Sequence, residues 1–252
     1  MKENILGYNV TALSVDVCAD RLFQTLREVK STWLACFNPH SYAMTMNDEM
    51  FSRALKSADW LVPDGAGVVL ASRMLGGKIQ GRVTGSDVFA GLHKRMNVVG
   101  GMSVFFLGST EKTSVLMRQH MLIDYPNIKV AGTFSPPFKS EFSDADNCMM
   151  IKEINEARPD VLWVGMTAPK QEKWIYLNKD KLDVKFIGAV GGVFDFFAGN
   201  IKRNENSWFV KHGLEWLPRL IQEPRRLWKR MFVSAPVFVW HVVRQRFREK
   251  II

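Results

Sequence analysis

The stretch Asp160–Gly192, DVLWVGMTAPKQEKWIYLNKDKLDVKFIGAVGG, decides the fold. An apolar run, DVLWVGMT, is followed by the helical pattern PKQEKWIYLNK and by a second apolar run, VKFIGAVGG. Pro169 suits the first turn of that helix, because a missing N–H costs nothing there. Two buried strands joined by a helix form a βαβ unit, whose strands run parallel.

The same alternation extends towards the N-terminus. The spacing predicts strands at STWLACFN (31–38), ADWLVPDG (58–65), MSVFFLGST (102–110) and NIKVAGTF (127–134). Helices are predicted around Ala19–Lys30 and at GAGVVLASRML (65–75), EKTSVLMRQHMLIDYP (111–126) and DNCMMIKEINEARP (146–159). A further helix, GSDVFAGLHKRMNVV (85–99), takes Ser86 or Asp87 as its N-cap. Strands alternating with helices over residues 1–198 give an α/β domain: a mostly parallel sheet with helices on both faces.

The chain of 252 residues is 47% hydrophobic and 23% charged, enough to bury a large core. The start, MKENILGYNVTALSVD, reads as free of a signal peptide, and no run reaches the roughly 18 apolar residues of a spanning helix. Cys18, Cys36 and Cys148 are an odd set without CxxC spacing. That fits a reducing cytosol and speaks against a zinc site or a disulfide frame.

Charge is unevenly placed. Residues 199–252 hold twelve Lys or Arg against four acids, so this segment carries eight of the nine net positive charges. Four of the eight Trp residues (Trp208, Trp216, Trp228, Trp240) lie among them, in short amphipathic helical patterns broken by Pro218, Pro224 and Pro236. Residues 199–252 are therefore expected to form a basic helical appendage. Interfacial Trp with Arg and Lys suits an anionic membrane surface. A nucleic-acid-binding role for the same tail is the second reading, against which stands the absence of an RNA-recognition or helix-turn-helix signature.

Ligands of parallel α/β sheets bind beyond the carboxyl ends of the strands. The residues to inspect are Asn38, Asp64, Gly108–Thr110, Thr167–Gln171 and Gly188–Asp195. Asp64, in LVPDGAGVV, is either a turn acid or a general base in a cleft. Thr167, Lys170 and Gln171, at a helix start, can meet a diphosphate or sugar, or belong to a helix bearing Lys–Glu surface pairs. Gly191 and Gly192 permit close backbone approach to a ligand or a tight packing turn. Arg82, in GRVTGSDVF, can fork a phosphate or carboxylate or stand solvated at the surface. Asp144–Asp146, DAD, is read as an acidic helix start rather than a metal-binding DxD. No HExxH, P-loop, GxSxG or GxGxxG is present, so no metal site and no cofactor is expected. A nucleotide-sugar epimerase or dehydrogenase, the third reading, lacks its dinucleotide fingerprint.

Taken together, VPDGAGVV, RVTGSDVF, VGMTAPKQEKWI, GAVGGVFDFFAGNIKRN and GLEWLPRLIQEPRR resemble the WecG/TagA/CpsF family of bacterial glycosyltransferases, glycosyltransferase family 26. The resemblance covers most of the chain. It implies a Rossmann-like catalytic domain with a C-terminal appendage (the GT-E type). It also implies inverting, metal-independent transfer from a UDP-sugar to a sugar on a polyprenyl diphosphate. ManNAc, its uronic acid and glucose-type donors all fall within it, with GlcNAc as the acceptor sugar. By resemblance Asp64 is the base; Asn38, Arg82 and Gln171 line the donor cleft; Arg219 and Arg226 reach the acceptor diphosphate. Arg230, in the same basic tail, is a further candidate for that diphosphate. Thr167, Lys170, Gly191, Gly192 and Asp195 complete the expected substrate-binding set. The implied setting is the cytoplasmic face of the bacterial plasma membrane, with the protein peripheral and nucleic acid no partner; a homo-oligomer is left open. Cys36 stands where relatives often carry Thr, and IKRNENSW replaces the usual VKRAP entry to the appendage.

Overall fold

A computed structural model describes residues 1–28, 31–200, 228 and 230–249. A hairpin of β1 (Lys2–Ile5) and β2 (Tyr8–Thr11) comes first, then α1 (Val15–Thr25), β3 (Thr32–Phe37), α2 (Pro39–Thr45), α3 (Glu49–Ser57) and β4 (Trp60–Pro63). Next are α4 (Ala66–Leu75), α5 (Gly85–Val99), β5 (Ser103–Gly108), α6 (Glu111–Asp124), β6 (Lys129–Phe134) and α7 (Asp144–Ala157). The remaining elements are β7 (Val161–Gly165), α8 (Lys170–Asn178), β8 (Phe186–Ala189), α9 (Val193–Phe197), a π-helical turn (Arg230–Ser234) and α10 (Ala235–Glu249).

Six strands form one parallel sheet in the order β4-β3-β8-β7-β5-β6. Its inner strands are apolar on both faces, as a sheet sandwiched by helices requires. Trp33, Ala35 and Phe37 face one core with Leu162, Val164 and Ile187. Leu34, Val104, Phe106 and Trp163 face the other. The first core is closed by the hairpin and by side chains of α3, α4, α7, α8 and α10, the second by those of α1, α5, α6 and α9.

The strands and long helices match the sequence expectations, with local corrections. Helix α5 is capped by Thr84, not Ser86 or Asp87; Asp87 sits third in the helix and returns a hydrogen bond to the Thr84 N–H at 2.9 Å. Likewise Ser143 caps α7, with Asp146 third and Asp144 in the first turn. The hairpin, α2, α3 and α9 are additions to the expected elements. Pro236 does not break the C-terminal helix: it lies in the first turn of α10, behind the π-helical turn. There its missing N–H costs little. Pro218, Pro224, Trp208 and Trp216 lie outside the described residues.

Helix α10 is anchored to the body. Phe238 and Val242 are buried, with the Phe238 ring 5.5 Å from Tyr42 and 6.4 Å from Phe37. Polar clasps flank it. His40 Nδ1 and Ser234 Oγ are 2.9 Å apart, Tyr42 hydroxyl and His241 Nδ1 2.5 Å, and the Leu6 N–H donates to Gln245 Oε1 at 2.8 Å. Truncating a buried Phe costs about 3–5 kcal/mol. Phe238→Ala should therefore undock α10: amide exchange across residues 235–249 should accelerate strongly while the sheet strands stay protected.

Candidate active site

The site is built where β3, β4, β7 and β8 end. The Asp64 N–H donates to the Phe37 carbonyl at 2.8 Å, extending the β3–β4 ladder one rung past Pro63. Gly65 then turns the chain into α4 with φ +109°, a conformation that side chains rarely adopt. Two residues on, a Cβ on Gly67 would lie 2.6 Å from Pro39 Cγ, so its bare backbone lets the starts of α2 and α4 meet.

That meeting brings Asn38 to Asp64. Asn38 caps α2: its Oδ1 accepts from the N–H groups of His40 (3.0 Å) and Ser41 (2.9 Å). Its Nδ2 donates to Asp64 Oδ2 at 3.5 Å. The cap fixes which end of the Asn38 amide faces the carboxylate. On the other side of β4 the Val83 N–H donates to the Pro63 carbonyl at 2.9 Å, which seats Arg82 beside the same strand end.

Cys36, one residue before the end of β3, lies between these groups and β8. Its thiol points at the Ala189 carbonyl, 3.9 Å away. Burial, followed by the negative charges of Asp64 and Glu172 and then of Asp87, pushes this thiol well above its ordinary range; the Gly85 N–H opposes them.

Helix α8 contributes Gln171 and Glu172, both buried, at 4% and 2% exposure. Gln171 Nε2 donates to Glu172 Oε1 at 2.9 Å. The Gln171 amide also packs against the turn after β8, 3.6 Å from where a Cβ on Gly191 would stand. Burial raises the Glu172 carboxyl to about 7, against the hydrogen bonds from Gln171 and from its own N–H. Sequence reasoning missed Glu172, treating it as one of a surface Lys–Glu set. The available signal was the inward stripe Gln171, Trp174, Ile175 and Asn178, which turns this part of the helix towards the sheet.

The other expected site residues are placed as follows. Thr167 is exposed on the turn into α8, its carbonyl accepting from the Lys170 N–H at 3.0 Å. Lys170 reaches towards the loop after β6, with its ammonium 3.8 Å over the Phe142 ring and donating to the Lys139 carbonyl. Gly192 caps α9, and Asp195 in the first turn accepts from Asn200 at 3.4 Å. Arg219 and Arg226 lie outside the described residues; Arg230 opens the π-helical turn. Among the described residues no group of three or more His, Cys, Asp and Glu is arranged to hold a metal ion. Asp146 of the DAD stretch is instead engaged by Lys139 at 2.8 Å.

A parallel sheet covered on both faces, with a carboxylate, an amide and a glycine turn gathered at its carboxyl edge, is an α/β fold with polar groups at the edge where such sheets generally take their ligands. The sequence model of the "Glycosyl transferase WecG/TagA/CpsF family" matches residues 3–251. The chain belongs to that family and is a glycosyltransferase. It is similar to the N-acetylglucosaminyldiphosphoundecaprenol N-acetyl-beta-D-mannosaminyltransferase of Bacillus subtilis (strain 168), at 33% identity over 86% of this chain and 81% of the relative. Proteins of the same name from Bacillus spizizenii and from Staphylococcus aureus (strain MRSA252) are 31% and 27% identical. They cover 87% and 96% of this chain, and the matches span 81% and 94% of the relatives.

Glu172 yields a pH test. Unfolded, a Glu carboxyl loses its proton near 4.5; folded, this one keeps it to about 7. Between those values the folded state binds more protons, so raising the pH removes stability. The loss is on the order of 3 kcal/mol from this group. Urea unfolding at pH 5 and 7.5 should show Glu172→Gln gaining on the wild type at the higher pH.

Proposed function

We propose that this protein transfers an N-acetylmannosaminyl or related hexosyl group from a UDP-sugar to a GlcNAc carried on a polyprenyl diphosphate, with inversion at the anomeric carbon. The acceptor and the sugar follow the names of the relatives at 27–33% identity. The observation that carries the mechanism is Asp64, held at the carboxyl edge by the β3–β4 ladder with the Asn38 amide against its carboxylate.

An acceptor hydroxyl titrates far above neutral pH and needs a base aimed at its proton. Asp64 takes that proton as the acceptor oxygen forms its bond to the anomeric carbon. The bond from that carbon to the diphosphate breaks on the opposite face, and UDP leaves with the electron pair. Arg82, Thr167, the N–H groups at the α8 start and the turn at Gly191–Gly192 are the groups assigned to the donor and to its leaving charge. Gln171 is assigned to the sugar, and Asp195 to the rim of the cleft beside the Gly192 turn.

Residues 199–252 are assigned to the acceptor and the membrane, with Arg219, Arg226 and Arg230 towards the lipid diphosphate. Two observations on α10 support this. Val239, Trp240 and Phe247 stand exposed, and Arg244, Arg246 and Arg248 lie exposed among them. Apolar and aromatic side chains among arginines suit an anionic lipid surface. No helix among the described residues is long and apolar enough to cross a membrane. The location we assign, from the exposed aromatic and arginine residues of α10, is peripheral, at the inner face of the plasma membrane.

The test is Asp64→Asn, assayed for UDP release with UDP-ManNAc and a short-chain polyprenyl-diphosphate GlcNAc acceptor. Loss of a general base lowers turnover by about 10²–10⁴-fold. Near-normal turnover in a folded variant would refute the assignment.

A further inference from the structure

We propose that Glu172 is a positioning residue for the transfer reaction: its buried carboxyl grips the Gln171 carboxamide so that the amide oxygen is presented to the donor sugar. The inference rests on the glycosyl-transfer reading and adds to it a residue that meets no substrate atom itself.

Three observations converge. First, Gln171 and Glu172 are both more than nine-tenths buried, yet each keeps a polar atom unpartnered among the described residues: Gln171 Oε1 and Glu172 Oε2. A buried acceptor without a donor is destabilising, so two in adjacent side chains call for a ligand or solvent to supply partners. Second, one Gln171 N–H is given to Glu172 Oε1 at 2.9 Å, which fixes the carboxamide. Its oxygen and nitrogen both lie 3.6 Å from the Cβ position of Gly191, against the glycine turn at the carboxyl edge. Third, the Gly191 turn against which the Gln171 amide packs follows β8, and Asp64 follows β4, so the pair and Asp64 sit on the same edge of the sheet, two strands apart. On the transfer reading, a donor laid along this edge with its anomeric carbon at Asp64 has its sugar assigned to Gln171. The oxygen accepts from a sugar hydroxyl or acetamido N–H.

The groups surrounding the carboxyl fit this division of labour. Lys170 and Lys173 flank the pair in sequence but are engaged elsewhere, with Lys139 and Phe142 and with Asp48 respectively. Across the sheet edge the titratable neighbour is Cys36, beyond which lie Asp64 and Asp87. Glu172 thus has no cation to pair with among these groups, and its carboxyl serves as a hydrogen-bonding grip on the Gln171 amide.

The experiment is a double-mutant cycle on the full chain, with UDP-ManNAc as donor, the lipid-linked GlcNAc acceptor and UDP alone as a binding probe. Glu172→Leu removes the grip and leaves the buried Gln171 N–H without its acceptor, so the variant's fold is first checked by circular dichroism and thermal unfolding. It should raise the KM for UDP-ManNAc about tenfold, the worth of one held hydrogen bond, with a smaller effect on kcat. The Kd for UDP alone should not move. Glu172→Gln keeps an acceptor for the Gln171 N–H and should recover most of the affinity. In a Gln171→Leu background, Glu172→Leu should add nothing further, because its effect passes through that amide. A full Glu172→Leu effect without Gln171, an equal rise in the Kd for UDP, or unchanged kinetics in a folded variant would each overturn the proposal. A wild-type protein that turns over no UDP-sugar would instead refute the transfer reading, and this inference with it.

Discussion

Burial of the parallel sheet on both faces is the constraint from which the site follows. Apolar side chains cover β3, β8, β7 and β5 on either side, which leaves little room for polar chemistry on the sheet faces. It is displaced to the strand ends, where each chain segment must turn towards a helix. There the backbone has unpaired N–H groups to offer, and residues such as Asn38 and Asp64 are tolerated. Asn38 serves that edge twice over. One side chain caps α2 and also faces Asp64, so the local requirement of a helix start and the orientation of the carboxylate are met together.

Legibility in the sequence varied with the range of the determining interactions. Strands buried on both faces announce themselves as apolar runs, and the six of the sheet were readable. The β1–β2 hairpin was not, because its four-residue strands are short and its turn is Leu6–Gly7. Both turn residues have positive φ, a conformation that usually advertises itself through Asn-Gly or Asp-Gly. Thr84 escapes notice as a cap for a similar reason: its reciprocal bond with Asp87 is a pair property, and Ser86 and Asp87 look equally good singly.

The site divides along the same line. Asp64, Asn38, Arg82 and the Gly191 turn could be nominated because strand ends are visible in the sequence. Glu172 could not be nominated by its type, since an acid between Gln171 and Lys173 reads as surface charge. Its burial depends on how α8 lies against the sheet and on the Gly191 turn and β3, segments from distant parts of the chain. Nor does the sequence show that Lys170 turns towards Lys139, because the loop after β6 carries no periodic signal.

The three cysteines have a practical corollary in thiol chemistry. Cys18 is buried, with its thiol pushed up to about 12, and Cys36 is half-buried, with nearby carboxylates holding its thiol above the ordinary range. Thiolate is the reactive form, so neither offers a nucleophile near neutral pH. Cys148, exposed on α7, is the remaining one. A maleimide probe or spin label applied to the native protein will therefore react first on α7, well ahead of the thiol beside Asp64.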